Sequence, residues 1–476
     1  MNQREEVARA WNELLTRFLP FADVASADLP LKRLLRLSLF QVSVGMAIVL
    51  LNGTLNRVLV VEMGVSAWLV ALMVSLPLVF APLRALIGHR SDYHHSAFGL
   101  RRVPYLWMGT LLQFGGFAIM PFALVLLADD VNKLHVLGQI FSALAFLLVG
   151  AGLHTTQTAG LALATDLAPE DTRPRVVALL YVTLLVGMVV SALLFGRLLE
   201  GFEQAKLISV VQGAAVATII FNLIALWKQE AVDLKRAAQA EERPPFGEAW
   251  RDFIQGGQSG RLLIVVGLGT AGFSMQDILL EPFGGQVLHL SVSSTTALTA
   301  IMAGGTLLAF ALAGRFMGRG GDPYRVAALG VLAGLFAFAA VIAAAALDSV
   351  WVFRTGAALI GFGGGLFSVG TLIAAMGLAE REHRGLALGA WGAVQATASG
   401  AAIAVGGALK DIVAGLATHH ASFGLGIGAS SIGYGFVYST EILLLVVTLP
   451  LILPLALRAT ARPASGDARI RLDQMP

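Results

Sequence analysis

Twelve apolar stretches of about 20 residues, each closed by charged or turn-forming breaks, constrain this chain most, because a run of that length is what a helix needs to cross a bilayer. They fall near 37–60, 65–87, 104–127, 135–164, 175–198 and 207–227, then near 262–281, 295–317, 325–346, 351–376, 386–408 and 436–457. Hydrophobic residues make up 57% of the chain and charged ones 13%, so most of the surface faces lipid rather than water. The pattern predicts a cytoplasmic arm (1–36), a six-helix bundle (37–227), a cytoplasmic linker (228–261), a second six-helix bundle (262–457) and a cytoplasmic tail (458–476).

Alternate loops divide the basic residues sharply. One side collects Arg4, Arg9, Arg17, Lys32, Arg33, Arg36, Arg90, Arg101, Arg102, Arg173, Arg175, the Lys228–Arg251 stretch, Arg319, Arg325, Arg381 and Arg384, while the other holds little beyond Lys133, Lys206 and Lys410. Cytoplasmic loops keep Lys and Arg, so both termini and the linker are expected in the cytoplasm, which needs an even number of spans. The net charge of +3 is thereby assigned to topology, and no nucleic-acid partner is expected. Residues 1–30 are polar with mixed charge and offer no cleavable leader, so the N-terminus is expected to be retained. The chain has no cysteine, which excludes disulfides, thiolate nucleophiles and Cys-based metal sites. No Walker A loop, H-E-x-x-H or G-x-S-x-G is present, and no enzyme is expected. Gly267, Gly269 and Gly272 spell G-x-G-x-x-G inside an apolar span with no strand before it, which reads as helix packing.

The two halves resemble each other. Gly150–Arg173 aligns without a gap on Gly361–Arg384 at an offset of 211, and Gly88-x-x-x-Asp92 recurs as Gly318-x-x-x-Asp322. Such duplication is a mark of secondary-transporter folds. The Gly88, Asp92, Gly99, Arg101, Arg102 sequence resembles the loop motif of the major facilitator superfamily, with Tyr93–Phe98 as an insertion. That resemblance implies a cytoplasmic clamp made of Gly88, Asp92, Arg101 and Arg102, repeated at Asp322. An ordinary charged turn is the plainer alternative. The fold expected is thus an all-α membrane protein of major facilitator type, with about twelve helices in two six-helix repeats.

Charged groups inside a span cost about 2.5–3.5 kcal/mol on insertion scales and need a reason. Late in the first span stand Asn52, Asn56, Arg57 and Glu62; late in the seventh stand Gln276, Asp277 and Glu281. Both helices run outward, so an inter-repeat polar cluster is expected in which Arg57 pairs with Asp277 or Glu281. An interfacial charge that snorkels is the alternative. Arg84 and Glu441 lie close enough to an interface to snorkel too. His154 sits well inside the fourth span among small residues. It could be an axial ligand to the metal of a flat macrocycle or a histidine bonded to a neighbouring helix.

Longer phrases carry a more specific likeness. LNGTLNRVLVVE (51–62), GHRSDYHHSAFGLRRVPY (88–105), LLQFGGFAIMP (111–121), HTTQTAGLALATD (154–166) and QDILLEPFGG (276–285) resemble the PucC/LhaA family of phototrophic bacteria. FLPFAD (18–23) and LPLKRLLRLSLF (29–40) fit it too, so the likeness runs from about Phe18 to about Pro454. It implies an assembly factor for light-harvesting antenna in the intracytoplasmic photosynthetic membrane, with the LhaA type that serves the core antenna around the reaction centre preferred over the PucC type that serves the peripheral antenna. It also implies non-covalent bacteriochlorophyll as cofactor and antenna polypeptides as partners. On that basis His154, Thr155, Gln157, Gly150 and Gly361 form the candidate pigment site, with glycine faces of spans four and ten holding the ring. The arm and linker could dock a pigment synthase or insertion machinery, or simply tether the halves. A different class of function, an alternating-access transporter of an unidentified solute, remains open on the residues alone.

Overall fold

The structure, a computed structural model, describes residues 30–79, 100, 102–127, 132–168, 173–230, 258–319, 321–378, 384–419 and 429–461. Among them, eleven helices are long and apolar enough to cross a membrane, and Ala67–Leu76 forms a shorter apolar helix. We number the spans in chain order: α1 Leu31–Glu62, α2 Ala67–Val79, α3 Val103–Leu127, α4 Asn132–Leu167, α5 Arg173–Leu198 and α6 Gln204–Leu226. The second half follows with α7 in three pieces, Gln258–Ser274, Met275–Ile278 and Leu280–Gln286. Then come α8 Val292–Gly318, α9 Pro323–Leu347, α10 Val350–Leu378, α11 Arg384–His419 and α12 Ala429–Ala461. Several helices outrun the apolar stretches that announce them. α1 begins at Leu31 and α12 at Ala429, because a helix continues past the hydrocarbon for as long as its backbone bonds close internally.

Small residues set the helix spacing within each half. A Cβ on Gly152 of α4 would lie 2.6 Å from the Gly109 carbonyl oxygen of α3, and one on Gly109 2.8 Å from that of Gly152. In the second half, a Cβ on Gly363 of α10 would lie 2.8 Å from the Gly330 carbonyl oxygen of α9, and one on Gly330 2.6 Å from that of Gly363. Gly152 and Gly363 are the same position of the 211-residue repeat. The duplicated sequence therefore encodes a duplicated backbone-to-backbone contact of the small-residue kind that substitutes for hydrophobic driving force in lipid.

The halves meet through α1 with α7, α2 with α11, and α5 with α8. Their bonds gather toward the arginine-poor end. The Trp68 amide donates to Asp411 Oδ2 at 2.8 Å, capping α2 from α11, and Gly196 of α5 backs onto Ser293 at the start of α8. At the arginine-rich end, bonds tie the first half together. Glu230, just after α6, accepts from the Arg102 and Val103 amides at 3.0–3.1 Å, and Arg102 Nε reaches Asp166 Oδ2 at 2.9 Å. Arg33 donates to the Gln229 side chain and carbonyl.

Replacing Gly152 by Leu is expected to overpack the α3–α4 contact and cost about 1–3 kcal/mol. The check is a lowered unfolding temperature in mild detergent, with Gly115→Leu, where a Cβ meets nothing within 4 Å, as the control that should leave it unchanged.

Candidate functional site

The polar residues of spans one and seven meet where neither span is a regular α-helix. Val49–Leu55 and Val58–Glu62 of α1 have π-helical geometry, and Met275–Ile278 of α7 forms a 3-10 turn. Departures of this kind mark functional positions in helices. Pro282 explains the break in α7: it has no N–H, so the carbonyl of Ile278, four residues back, loses its intrahelical partner. Asn56 of α1 replaces that partner, its Nδ2 donating to the Ile278 oxygen at 2.6 Å and to the Asn52 oxygen at 3.0 Å. The amide side of the break is closed by Glu441 of α12, whose Oε1 accepts from the Gln276 amide at 2.8 Å. One half of the protein thus completes the backbone bonding of the other.

The expected pairing of Arg57 with Asp277 or Glu281 is corrected. Arg57, 4% exposed, pairs through Nη1 with Glu62 of its own helix, and through Nη2 it donates to the Leu290 carbonyl at 3.1 Å. In a π-helix, residues i and i+5 lie near one face, so the Val58–Glu62 geometry swings Glu62 round onto Arg57. Asp277 and Glu281, expected to share a helix face, are separated by the same 3-10 turn. Asp277 Oδ1 accepts from Gln276 Nε2 at 2.6 Å. Glu281 instead accepts from Thr299 of α8 at 2.6 Å and rests on Gly53 of α1, where a Cβ would collide with its carboxyl group. Glu441 does not snorkel: it is completely buried, about a third of the way along α12.

Asp277 and Gln276 also line a cavity of about 240 Å³ among α7, α8, α10 and α11, with Phe273, Thr306, Gly361 and Gln395 on its other walls. This is smaller than the 300–1,000 Å³ typical of pockets for drug-sized ligands, so it does not enclose a chlorin. His154 is not among its lining residues. It lies instead on a partly buried stripe of α4 with Ala151, Thr158 and Leu161. Buried Thr155 Oγ1 bonds back to the Ala151 carbonyl at 2.7 Å, and Gln157 is buried. Gly150 is also buried. Gly361 of the expected ring site faces α8 as well as the cavity. The face of Gly361 is occupied by the Met302 backbone of α8, and its carbonyl accepts from Thr306 at 2.9 Å.

Of the expected loop clamp, Arg102 is engaged with Asp166. Asp322 caps α9, its Oδ1 accepting from the Tyr324 amide at 2.9 Å. Gly88, Asp92 and Arg101 lie outside the described residues, as does Arg84.

Two six-helix halves joined at a pair of irregular helices define a multi-pass, helical membrane protein of major facilitator type, which as a helical bundle belongs to the inner membrane rather than among outer-membrane barrels. A bacterial homologue of the human lysosomal transporter Spinster, solved inward-facing and unoccupied, is similar with a TM-score of 0.63 at 16% identity, over 90% of this chain and 96% of that one. A bacterial homologue of the iron transporter ferroportin gives 0.64 at 14%, over 90% and 99%. At such identities the likeness shows the fold. The sequence model of the family described as PUCC protein matches residues 54–460, and the chain belongs to the PucC family. Protein PucC of Rhodovulum sulfidophilum is 61% identical over 403 residues, 83% of this chain and 89% of that one. Protein PucC of Cereibacter sphaeroides is 54% identical over 448 residues, covering 94% and 96%. A bacteriochlorophyll synthase 44.5 kDa chain of Rhodobacter capsulatus is 26% identical over 415 residues, covering 84% and 92%.

Asn56→Ala removes the donor that replaces the Pro282 N–H and leaves the Ile278 carbonyl unpaired in an apolar setting. The expected cost is about 1–2 kcal/mol, read as a lowered unfolding temperature in detergent. Adding Pro282→Ala, which restores the intrahelical donor, should recover most of the loss.

Proposed function

We propose that this protein is a membrane assembly factor for bacterial light-harvesting antenna, which binds bacteriochlorophyll and hands it to antenna polypeptides as they insert. Family membership carries the reading: relatives at 61% and 54% identity are named PucC, and a more distant one is named as a bacteriochlorophyll synthase chain. The work is binding and release, not turnover. With Lys and Arg held in the cytoplasm, the arginine-rich end and both termini face the cytoplasmic side, where nascent antenna polypeptides are delivered.

Because the cavity is too small for a chlorin, this reading places the pigment on the partly buried stripe of α4 that carries His154. There His154 would hold it and Leu161 would border it. When bound, the pigment would supply a magnesium ion that the neutral imidazole of His154 would ligate. A second reading, alternating-access transport of a small solute, is favoured by the cavity and its carboxylate Asp277. It requires solute flux that Asp277→Asn abolishes.

The test is the absorption spectrum of the full chain, purified in mild detergent from a phototrophic host lacking antenna polypeptides. A near-infrared chlorin band near one pigment per protein is expected, falling at least several-fold in His154→Phe. A colourless, folded wild type would defeat the pigment reading. Deletion in an otherwise intact host is expected to deplete the core antenna; depletion of the peripheral antenna alone would assign the protein to the other branch of the family.

A further inference from the structure

The break in α7 leaves more acceptors than donors. Glu441 Oε2 and Gln276 Oε1 have no hydrogen-bond partner among the described groups, although the two residues are 0% and 1% exposed. The Gln276 amide group lies between two carboxylates: its backbone N–H is on Glu441 and its Nε2 on Asp277. Tyr438, one turn before Glu441, is likewise fully buried with its hydroxyl unpartnered. Among the described residues, no salt bridge joins a cation to Glu441 or Asp277. Arg57 is paired with Glu62, and Lys410 with Asp411 and the face of Tyr434, about two turns from Glu441. Around Glu441, α7 contributes Gln276 and Asp277, α9 the ring of Phe338 against Tyr438, α11 the Lys410–Asp411 pair, and α12 itself Tyr434 and Tyr438.

A buried carboxylate without a cation is costly, and the unwound turn of a broken helix is where transporters of this build hold small cations, there on backbone carbonyls; here unpartnered side-chain oxygens stand at the same kind of turn. We infer that Glu441, Gln276 and Asp277 bind one small monovalent cation, a proton or an alkali ion, at the break of α7. Asp277 and Gln276 line the adjoining cavity, which gives the ion a way in. Occupancy then reports on the α1–α7 junction, because Asn56 of the other half bonds the same turn. This inference does not depend on pigment binding.

Glu441→Gln separates the ion site from the helix cap, since a glutamine oxygen still accepts the Gln276 amide but cannot neutralise a cation. The unfolding temperature of the full chain in detergent is to be measured at constant ionic strength, with sodium, potassium or N-methylglucamine, from pH 6 to 9. If the cation is a proton, the wild type in alkali-free buffer loses stability as pH rises, while Glu441→Gln is flatter by roughly 2–4 °C over the range. If it is an alkali ion, sodium or potassium stabilises the wild type at pH 8 by a similar amount, and the variant does not respond. Parallel behaviour of wild type and variant in both titrations would overturn the inference and leave a water-filled polar pocket. Should Glu441→Gln fail to fold, infrared difference spectra of the wild type and Asp277→Asn decide. A carboxyl band that responds to pH or alkali ion supports the site, and an unresponsive one sinks it.

Discussion

Backbone groups inside a bilayer have no water to turn to, and this protein contains a helix that breaks there. Pro282 denies the Ile278 carbonyl its partner, and the 3-10 turn at Met275–Ile278 frees amides on the other side. The break survives because Asn56 donates to the first and Glu441 accepts from the second. Asn56 belongs to the first repeat, and Glu441 stands on the last span. The irregular stretch of α7 is therefore a joint made by three helices from both halves, and any motion of one half against the other must change how those groups are satisfied.

The rest of the bundle is built so that this joint is where polar chemistry concentrates. Glycine pairs at Gly109–Gly152 and Gly330–Gly363 bring α3 onto α4 and α9 onto α10 with backbones almost touching, and these contacts demand nothing polar. The arginine-rich end is laced within the first half by Arg33, Arg102, Asp166, Gln229 and Glu230. The arginine-poor end carries the ties between halves, at Trp68 with Asp411 and Arg57 with Leu290. A framework held rigid within its halves and joined near one end is what a protein needs if it is to open toward the other end, or sideways between helices, for a large apolar partner.

Several of the site residues were legible before the fold was known, and others were hidden for definable reasons. Intramembrane cost singled out Asn56, Arg57, Gln276, Asp277 and Glu281, and all of them fall at the α1–α7 junction. Their pairing was not legible, because the i, i+4 rule that joins Asp277 to Glu281 holds only for an α-helix, and both helices depart from that geometry. Glu441 was undervalued because the apolar run of α12 begins late while the helix begins at Ala429, so that a residue near the edge of the run lies deep in the span. Pro282 was a signal in plain view: a proline four residues after Ile278 announces a freed carbonyl that some neighbour must meet.

The sequence by itself determined the helical membrane class, the repeat and the stock of polar groups committed to the membrane. These follow from length, hydropathy and covalent identity, which need no partner to be defined. Only the tertiary structure decided that Arg57 turns to Glu62, that Gly361 backs onto Met302, and that Glu441 closes the amide side of a break it never neighbours in sequence. Each of those choices is a competition among groups brought together from distant parts of the chain. Its outcome depends on local helix geometry to within a fraction of a turn.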